Sequence, residues 1–222
     1  MIEYVENKEI IARRIARIFK TGDVVNLGIG LPTLVANFVP PEVTVVLQSE
    51  NGMLGLGPAP APGREDRNLT NAGGQSVTVL PGGCFFDSAT SFGIIRGGHV
   101  DYTVLGVLEV DQHGNLANYK IPGKMVPGMG GAMDLVAGSR VVIAATTHFE
   151  KSGASKLKRH CSLPLTAAGE VNLVVTDLGY FEVMGDKFYL LEWFKPYSPQ
   201  WIQEHTDAEV VVMSTCQCSD IE

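Results

Sequence analysis

Short apolar runs alternate with helix-forming segments along most of this 222-residue chain. The runs at 23–27, 43–47, 102–110 and 140–146 are short and rich in β-branched residues, as buried strands are. This alternation is typical of an open, largely parallel sheet with helices on both faces. Strands predicted at 180–183 and 188–193 flank the turn 184–187, which indicates an antiparallel hairpin added late. We therefore expect one α/β domain over residues 1–222.

The N-terminal segment 7–20 carries the clearest helical pattern. Its apolar stripe consists of Ile11, Ile15 and Ile18. Asn7 stands where a helix N-cap is expected. The basic residues off the stripe are Arg13, Arg14 and Arg17. We predict that they form a solvated face, with contact to a phosphate or a partner as the alternative.

A single carboxylate, Glu50, follows the second apolar run within the sequence QSENG at 48–52. The carboxyl ends of parallel strands meet at one edge of a sheet, where open α/β folds bind ligands. The run at 23–27 ends at the same edge, in the turn Gly28-Ile29-Gly30. Residues 53–75 then read mostly as loop, and loops of this length in compact domains are usually functional or mobile.

The residues around Glu50 allow three interpretations. Gly28 and Gly30 before an acidic residue partly match a dinucleotide fingerprint, but Thr33 replaces the third glycine. Ser-Glu-Asn-Gly is also suitable for a turn that carries a solvated glutamate. Alternatively, Glu50 is a nucleophile that attacks an activated acyl group. That chemistry requires N–H donors for the oxyanion and loops that exclude water. Glycine-rich loops at 28–30, 52–57, 73–74 and 128–131 can supply both.

Composition argues against several other classes of function. The formal net charge of -7 and the pI near 5.2 argue against a nucleic-acid-binding protein. No apolar run approaches the ~20 residues of a membrane span, and the N-terminus lacks the pattern of a signal peptide. Four irregularly spaced cysteines indicate reduced thiols in a cytoplasm-like compartment. A zinc site from Cys216, Cys218, His160 and Cys161 lacks the usual ligand spacing, so we expect no metal.

Several motifs, taken together, resemble the B (β) subunit of family I coenzyme A transferases. In chain order they are GIGLPT at 28–33, SENG at 49–52, NAGG at 71–74, IRGGHVD at 95–101, IPGKMVPGMGGAMDLV at 121–136 and CSLPLT at 161–166. Within that family the chain is most similar to the 3-oxoacid branch, which includes the acetoacetate and 3-oxoadipate enzymes. The resemblance extends from about residue 8 to about residue 195.

The resemblance implies a role for Glu50 and for a partner chain. Glu50 matches the family's catalytic glutamate, which carries a glutamyl-CoA thioester in ping-pong kinetics. The family's oxyanion donor corresponds to the amide of Gly131 or Gly130. A second donor comes from a glutamine of an A (α) subunit, so we expect an A2B2 assembly in the bacterial cytoplasm. Coenzyme A is then the carried substrate group, and no permanently bound cofactor is implied.

The remaining candidate residues are named from the chemical properties of their side chains or backbone. Lys124 is a candidate contact for a CoA phosphate or the acceptor carboxylate, or else a solvated loop lysine. Asn71, Gly73 and Gly74 are candidates for lining the CoA channel, as are Gly28 and Gly30. Asn51 either orients Glu50 or holds the turn. The alternative functions are acyl-CoA hydrolysis through the same intermediate and a non-catalytic ligand-sensing module. The sequence does not determine which acyl groups the donor and the acceptor carry.

Overall fold

The computed structural model describes residues 2–123, 128 and 130–220, with side chains from residue 7 onward. The helices are α1 Ile2–Ala16, the 3₁₀ helix Leu31–Phe38, α2 Ser88–Arg96, α3 Ala132–Gly138 and α4 Pro199–His205. The strands are β1 Val24–Leu27, β2 Val46–Ser49, β3 Met53–Leu56, β4 Val79–Phe85, β5 Tyr102–Gly106, β6 Glu109–Asp111, β7 Leu116–Ala117, β8 Val141–Ala145, β9 Leu157–Lys158, β10 Leu173–Val175, β11 Gly179–Met184, β12 Lys187–Trp193 and β13 Val210–Cys218. Within these residues, no helix has the length and apolar content to cross a membrane.

Ten strands form the main sheet, in the order β13-β12-β11-β10-β8-β5-β1-β2-β3-β4. The five central strands, from β10 to β2, are parallel. The hairpin β11–β12 is antiparallel and pairs with β10, which confirms the predicted open sheet with a late antiparallel hairpin. Strand β1 pairs with β2 on one side and with β5 on the other, so the chain reverses its winding direction at β1. Ligands bind at such a switch point in open sheets.

Helices cover both faces of the sheet, as predicted. One core lies beneath α1 and the 3₁₀ helix and includes Ile11, Val35 and Val104. The opposite core lies beneath α2, α3 and α4 and includes Ile95, Leu135 and Ile202. Because successive side chains of a strand point to opposite faces, Val104 joins the first core and Leu105 the second. The central strands are apolar at successive positions because both faces of the sheet are buried.

Two predictions on the far side of β2 are wrong. Residues 53–56 form β3 instead of loop, because the chain turns back at Gly52 and pairs antiparallel with β2. The strand predicted to end before Pro81 continues to Phe85. Strand β4 lies at the sheet edge, where a proline's missing N–H costs no ladder bond. Glycine at position 83 is required, since a Cβ there would lie 2.4 Å from Cγ1 of Val79.

The run predicted as one strand over 102–110 is divided. Strand β5 ends at Gly106, and β6 joins β7 and β9 in a separate three-stranded sheet. Position 106 lies at the carboxyl edge of the main sheet, and the chain leaves the sheet there. The strand predicted at 43–47 is displaced toward the C-terminus and runs Val46–Ser49.

The helix predicted from residue 7 begins earlier, and one of its arginines is buried. Because α1 starts at Ile2, Asn7 lies inside the helix, and its side chain donates to Oδ2 of Asp177 at 2.9 Å. Arg14 is only 8% exposed, which contradicts the prediction of a solvated face at that position. It donates two hydrogen bonds to Glu192, of 2.7 and 2.6 Å, and its guanidinium lies 4.1 Å from the centre of the Tyr180 ring. An ion pair with matched donors and acceptors holds α1 against β12.

Candidate active site

Glu50 lies in the tight turn that joins β2 to β3. The N–H of Gly52 donates to the carbonyl of Ser49 at 3.0 Å and closes the turn. Gly52 has φ +117°, and a Cβ there would lie 2.1 Å from the carbonyl oxygen of Phe86. Only glycine meets both conditions, because other residues rarely adopt this φ and have no room. The turn therefore presents Glu50, half-buried, at the carboxyl edge of the sheet.

A row of buried polar side chains leads to the Glu50 carboxylate. Nδ2 of Asn26 donates to Oε2 of Glu50 at 3.3 Å and to Oε1 of Gln48 at 2.6 Å. Nε2 of Gln48 in turn donates to Oγ of Ser91 at 3.1 Å. Asn26 is 1% exposed and Gln48 is 3% exposed. A buried donor with fixed partners holds one carboxylate oxygen and leaves the other available for chemistry.

Sequence reasoning missed Asn26, Gln48 and Ser91. A signal existed, because Asn26 and Gln48 interrupt the apolar runs VVNL and VVLQS. Polar residues inside strands buried on both faces need partners and are informative for that reason. The strand register accounts for the contact, since Asn26 on β1 is directly opposite Gln48 on β2.

Gly131 lies next to Glu50, at the N-terminus of α3. A Cβ on Gly131 would be 3.4 Å from Cγ of Glu50 and 3.4 Å from the ring of Phe92. The space that a side chain at position 131 would enter therefore adjoins both the glutamate and the aromatic ring. Gly130 has φ +51°, and a Cβ there would meet open space. Of the two predicted oxyanion donors, Gly131 is therefore the one that lies against Glu50.

The segment 57–77 is tied to both neighbours of Glu50. The N–H of Ala72 donates to Oγ of Ser49 at 3.0 Å. Nδ2 of Asn51 donates to the carbonyl of Thr70 at 2.7 Å. Asn51 is itself exposed and holds the loop rather than the glutamate. The segment is thus fixed against the turn instead of hanging free beside it.

Asn71 shapes the tip of that segment. Its Oδ1 accepts hydrogen bonds from the N–H groups of Gly73 and Gln75, each 3.0 Å long. Gly74, with φ +75°, completes the reversal of the chain. This is a side-chain-capped turn of the kind that asparagine favours.

A cavity of about 330 Å³ lies between the 3₁₀ helix, the end of β2 and this segment. Glu50 and three other predicted residues contribute to its walls: Gly28, Asn71 and Gly73. Gly28 also packs closely on the next strand, since its N–H donates to the carbonyl of Val104 at 2.8 Å. Gly30 and Gly74 do not line the cavity. Lys124 lies outside the described residues.

The residues considered for a zinc site, from whose spacing no metal was expected, are Cys216, Cys218, His160 and Cys161. Among residues 2–123, 128 and 130–220, no group of three or more histidine, cysteine or acidic side chains is placed to hold an ion. Burial raises the pKa of the Cys161 thiol, and the nearby Asp111 carboxylate raises it further. Cys161 is therefore held as a protonated thiol, unsuited to nucleophilic chemistry.

A family model described as Coenzyme A transferase matches residues 8–202. The chain belongs to the coenzyme A transferase family. It is 56% identical over 185 residues to the beta subunit of the acetate CoA-transferase of Escherichia coli strain K12, covering 83% of this chain and 84% of the relative. It is 50% identical to the B subunit of the succinyl-CoA:3-ketoacid coenzyme A transferase of Helicobacter pylori strain 26695, covering 92% and 99%. The resemblance found in the motifs is confirmed.

The fold of this CoA-transferase chain is also found in a solved structure. The acyl-CoA transferase apoenzyme from Escherichia coli O157:H7 superposes with a TM-score of 0.78 at 23% sequence identity. The superposition covers 97% of this chain but only 43% of that longer chain. At this level of identity the similarity concerns the fold, and it confirms the predicted architecture.

Proposed function

We propose that this chain is the B (β) subunit of a CoA-transferase that moves coenzyme A between an acyl-CoA and a short-chain carboxylate through a covalent intermediate on Glu50. One observation carries the assignment of the nucleophile. In the wall of a cavity, the Glu50 carboxylate accepts a hydrogen bond from a buried amide, and the Glu50 side chain lies beside a helix-opening glycine. A solvated turn glutamate needs none of these features. The relatives named as CoA-transferase subunits support the reaction class.

The first half-reaction proceeds in two displacements. A carboxylate oxygen of Glu50 attacks the thioester carbonyl carbon of the donor, the C–S bond breaks, and CoA leaves as the thiolate with the electron pair. The product is an acyl-glutamyl anhydride. The thiolate then attacks the glutamyl carbonyl, which releases the donor's acyl group as a free carboxylate and leaves a glutamyl-CoA thioester.

The second half-reaction reverses these steps with the acceptor. The acceptor carboxylate attacks the glutamyl-CoA carbonyl and displaces the thiolate. The thiolate then attacks the acceptor's carbonyl in the new anhydride, which forms the product acyl-CoA and restores the Glu50 carboxylate. No net proton is consumed, so the chain needs no separate general acid.

Three parts of the site have roles in these steps. Asn26 holds Oε2 of Glu50 and directs Oε1 toward the substrate. The backbone N–H of Gly131, at the helix N-terminus, is the candidate donor to the oxyanion that forms at each displacement. The segment tied down by Ser49 and Asn51 excludes water, which would otherwise hydrolyse the anhydride.

The partner of this chain is an A (α) subunit, in an A2B2 assembly. The relatives are named as beta or B subunits, which supports a second polypeptide. An oxyanion is held best by two donors, and Gly131 supplies one of them. The family resemblance assigns the second donor to a glutamine of the A subunit, so the complete site requires both chains.

Mass spectrometry of the assembled enzyme tests this proposal. The chain, co-purified with its A partner, is mixed with acetoacetyl-CoA in the absence of an acceptor and then digested. We expect a mass gain equal to CoA minus water on the peptide that contains Glu50. Glu50→Gln removes the nucleophile and abolishes the adduct. Glu65→Gln, at an exposed loop position, is the matched control and retains it.

Two other outcomes point to the alternative functions. Loss of the thioester without an acceptor, at a rate similar to that of transfer, indicates a hydrolase. An assembled pair that forms no adduct with any of a panel of acyl-CoA donors contradicts the proposed role of Glu50.

A further inference from the structure

The cavity beside Glu50 has predominantly apolar walls. Its apolar side chains come from β1, the 3₁₀ helix, β2, β3 and the segment 57–77; they include Leu27, Leu34, Leu47, Leu56 and Val77. At about 330 Å³ it is at the small end of the range for ligand pockets. A cavity of this size and lining suits a chain of a few carbon atoms.

The described residues that line the cavity include one charged side chain and several neutral polar ones. Among the described residues that line it, Glu50 is the only charged one. The remaining polar groups are neutral amides and hydroxyls, and they include those of Thr33, Asn37, Asn71, Gln75 and Ser76. The basic residues of the segment, Arg64 and Arg67, are exposed and are not part of the lining.

An acyl chain that ends in a second carboxylate meets two penalties in this cavity. Its far end loses hydration against apolar walls, and none of the described lining residues offers it a cationic partner. It also approaches the ionised Glu50, and like charges in a partly buried site repel more strongly than in water. Neutral amides hydrogen-bond a keto oxygen well, whereas they do not neutralise a carboxylate.

We infer that this cavity holds the acyl chain of the donor and selects short, uncharged acyl groups over acyl groups of dicarboxylic acids. The inference rests on the proposed function, because it places the acyl chain next to Glu50. It is independent of the names of the relatives, which include both acetate and succinyl-CoA enzymes.

Butyryl-CoA and succinyl-CoA provide a matched test. Both acyl groups have four carbon atoms, and they differ in whether the far end is a methyl group or a carboxylate. The enzyme assembled with its A partner is assayed for kcat/KM with each donor and acetate as the acceptor. We expect butyryl-CoA to be preferred by about 100-fold or more, the effect of burying one unpaired charge.

A charge introduced into the wall gives the second test. Gln75 is exposed at the cavity rim, and its Oε1 accepts a hydrogen bond from Asn71 at 3.1 Å. Gln75→Lys supplies a cation and is expected to raise kcat/KM for succinyl-CoA at least about tenfold relative to butyryl-CoA. Gln75→Met has similar length, loses the same hydrogen bond and adds no charge. It is expected to leave the ratio of the two donors unchanged.

The outcomes separate this inference from the proposed function. If succinyl-CoA is used as well as butyryl-CoA while both modify Glu50, the inference is wrong and the function stands. An equal change of the donor ratio in Gln75→Lys and Gln75→Met also overturns the role of charge. If no donor modifies Glu50, the function fails, and the assignment of the cavity fails with it.

Discussion

Asn26→Asp is the substitution that tests the geometry around Glu50 most directly. It changes one NH₂ group to an oxygen and leaves the side-chain shape unchanged. In the native protein Nδ2 of Asn26 faces oxygen acceptors on Glu50 and Gln48. The variant therefore replaces a donor by a second carboxylate next to the proposed nucleophile.

The expected magnitude follows from the distance of 3.3 Å between Nδ2 of Asn26 and Oε2 of Glu50. Two unit charges at that separation repel by about 1.3 kcal/mol at the dielectric constant of water and by about 5 kcal/mol at an effective value of 20. Each 1.4 kcal/mol corresponds to about one pH unit. The pair of carboxylates retains a proton to higher pH, and the reaction needs ionised Glu50. The acidic limb of kcat/KM should therefore move upward by roughly one to four pH units.

Asn26→Ala separates the effect of losing the hydrogen bond to Glu50 from the effect of adding a second carboxylate. It loses a hydrogen bond to a charged group, typically about 1.5–3 kcal/mol, so the plateau of kcat/KM should fall roughly 10- to 150-fold. It adds no charge, so the acidic limb should move upward less than in Asn26→Asp, through loss of the hydrogen bond to the ionised carboxylate alone. Asn37→Asp, an exposed position in the same cavity, is the control for a carboxylate without a hydrogen bond to Glu50.

The assay is the pH dependence of kcat/KM for the enzyme assembled with its A partner. Circular dichroism at each pH separates loss of activity from unfolding. An acidic limb of Asn26→Asp that coincides with the native one would refute the reasoning. In that case either the two side chains are not in contact, or Glu50 is not the group that must be ionised.

Three further predictions concern stability and are measured by urea unfolding. Arg14→Met removes the partner of Glu192, whose side chain is 16% exposed, and should lower the free energy of unfolding by up to about 3 kcal/mol. The double variant Arg14→Met with Glu192→Leu should recover most of the loss, and equal losses would contradict a largely desolvated ion pair. Gly52→Ala should prevent the β2–β3 turn and abolish activity. Gly63 also has a positive φ, but a Cβ there would meet open space, so Gly63→Ala should cost only backbone strain, on the order of 1 kcal/mol. Burial lowers the pKa of His148 to about 3. The unfolded chain therefore binds the extra proton between about pH 6.5 and 3, and stability should fall by up to about 1.4 kcal/mol per pH unit as the pH decreases through that range. His148→Gln should reduce the dependence of the free energy of unfolding on pH in this range. An unchanged slope would show that other titrating groups cause it.

The sequence alone determined the architecture and the candidate for the reactive group. Strands buried on both faces must be apolar throughout, so the runs ending at Leu27 and Leu47 are visible without coordinates. Glycine-rich loops, in which the backbone can approach a ligand or adopt positive φ, are equally visible. This is why Glu50 and the glycines of the GMGG motif could be named as candidates from the order of their motifs.

Only the tertiary structure decided which side chains support Glu50. Asn26 and Glu50 are 24 positions apart, and they come together because β1 and β2 are adjacent and in register. Local patterns carry no information on register, and for the same reason Arg14 was predicted to be solvated although β12 lies beside α1. The hairpin after Gly52 was missed because its stability depends on pairing with β2 and β4 more than on local propensity. Local physical chemistry thus determined the elements and the candidate nucleophile, whereas long-range pairing determined what surrounds it.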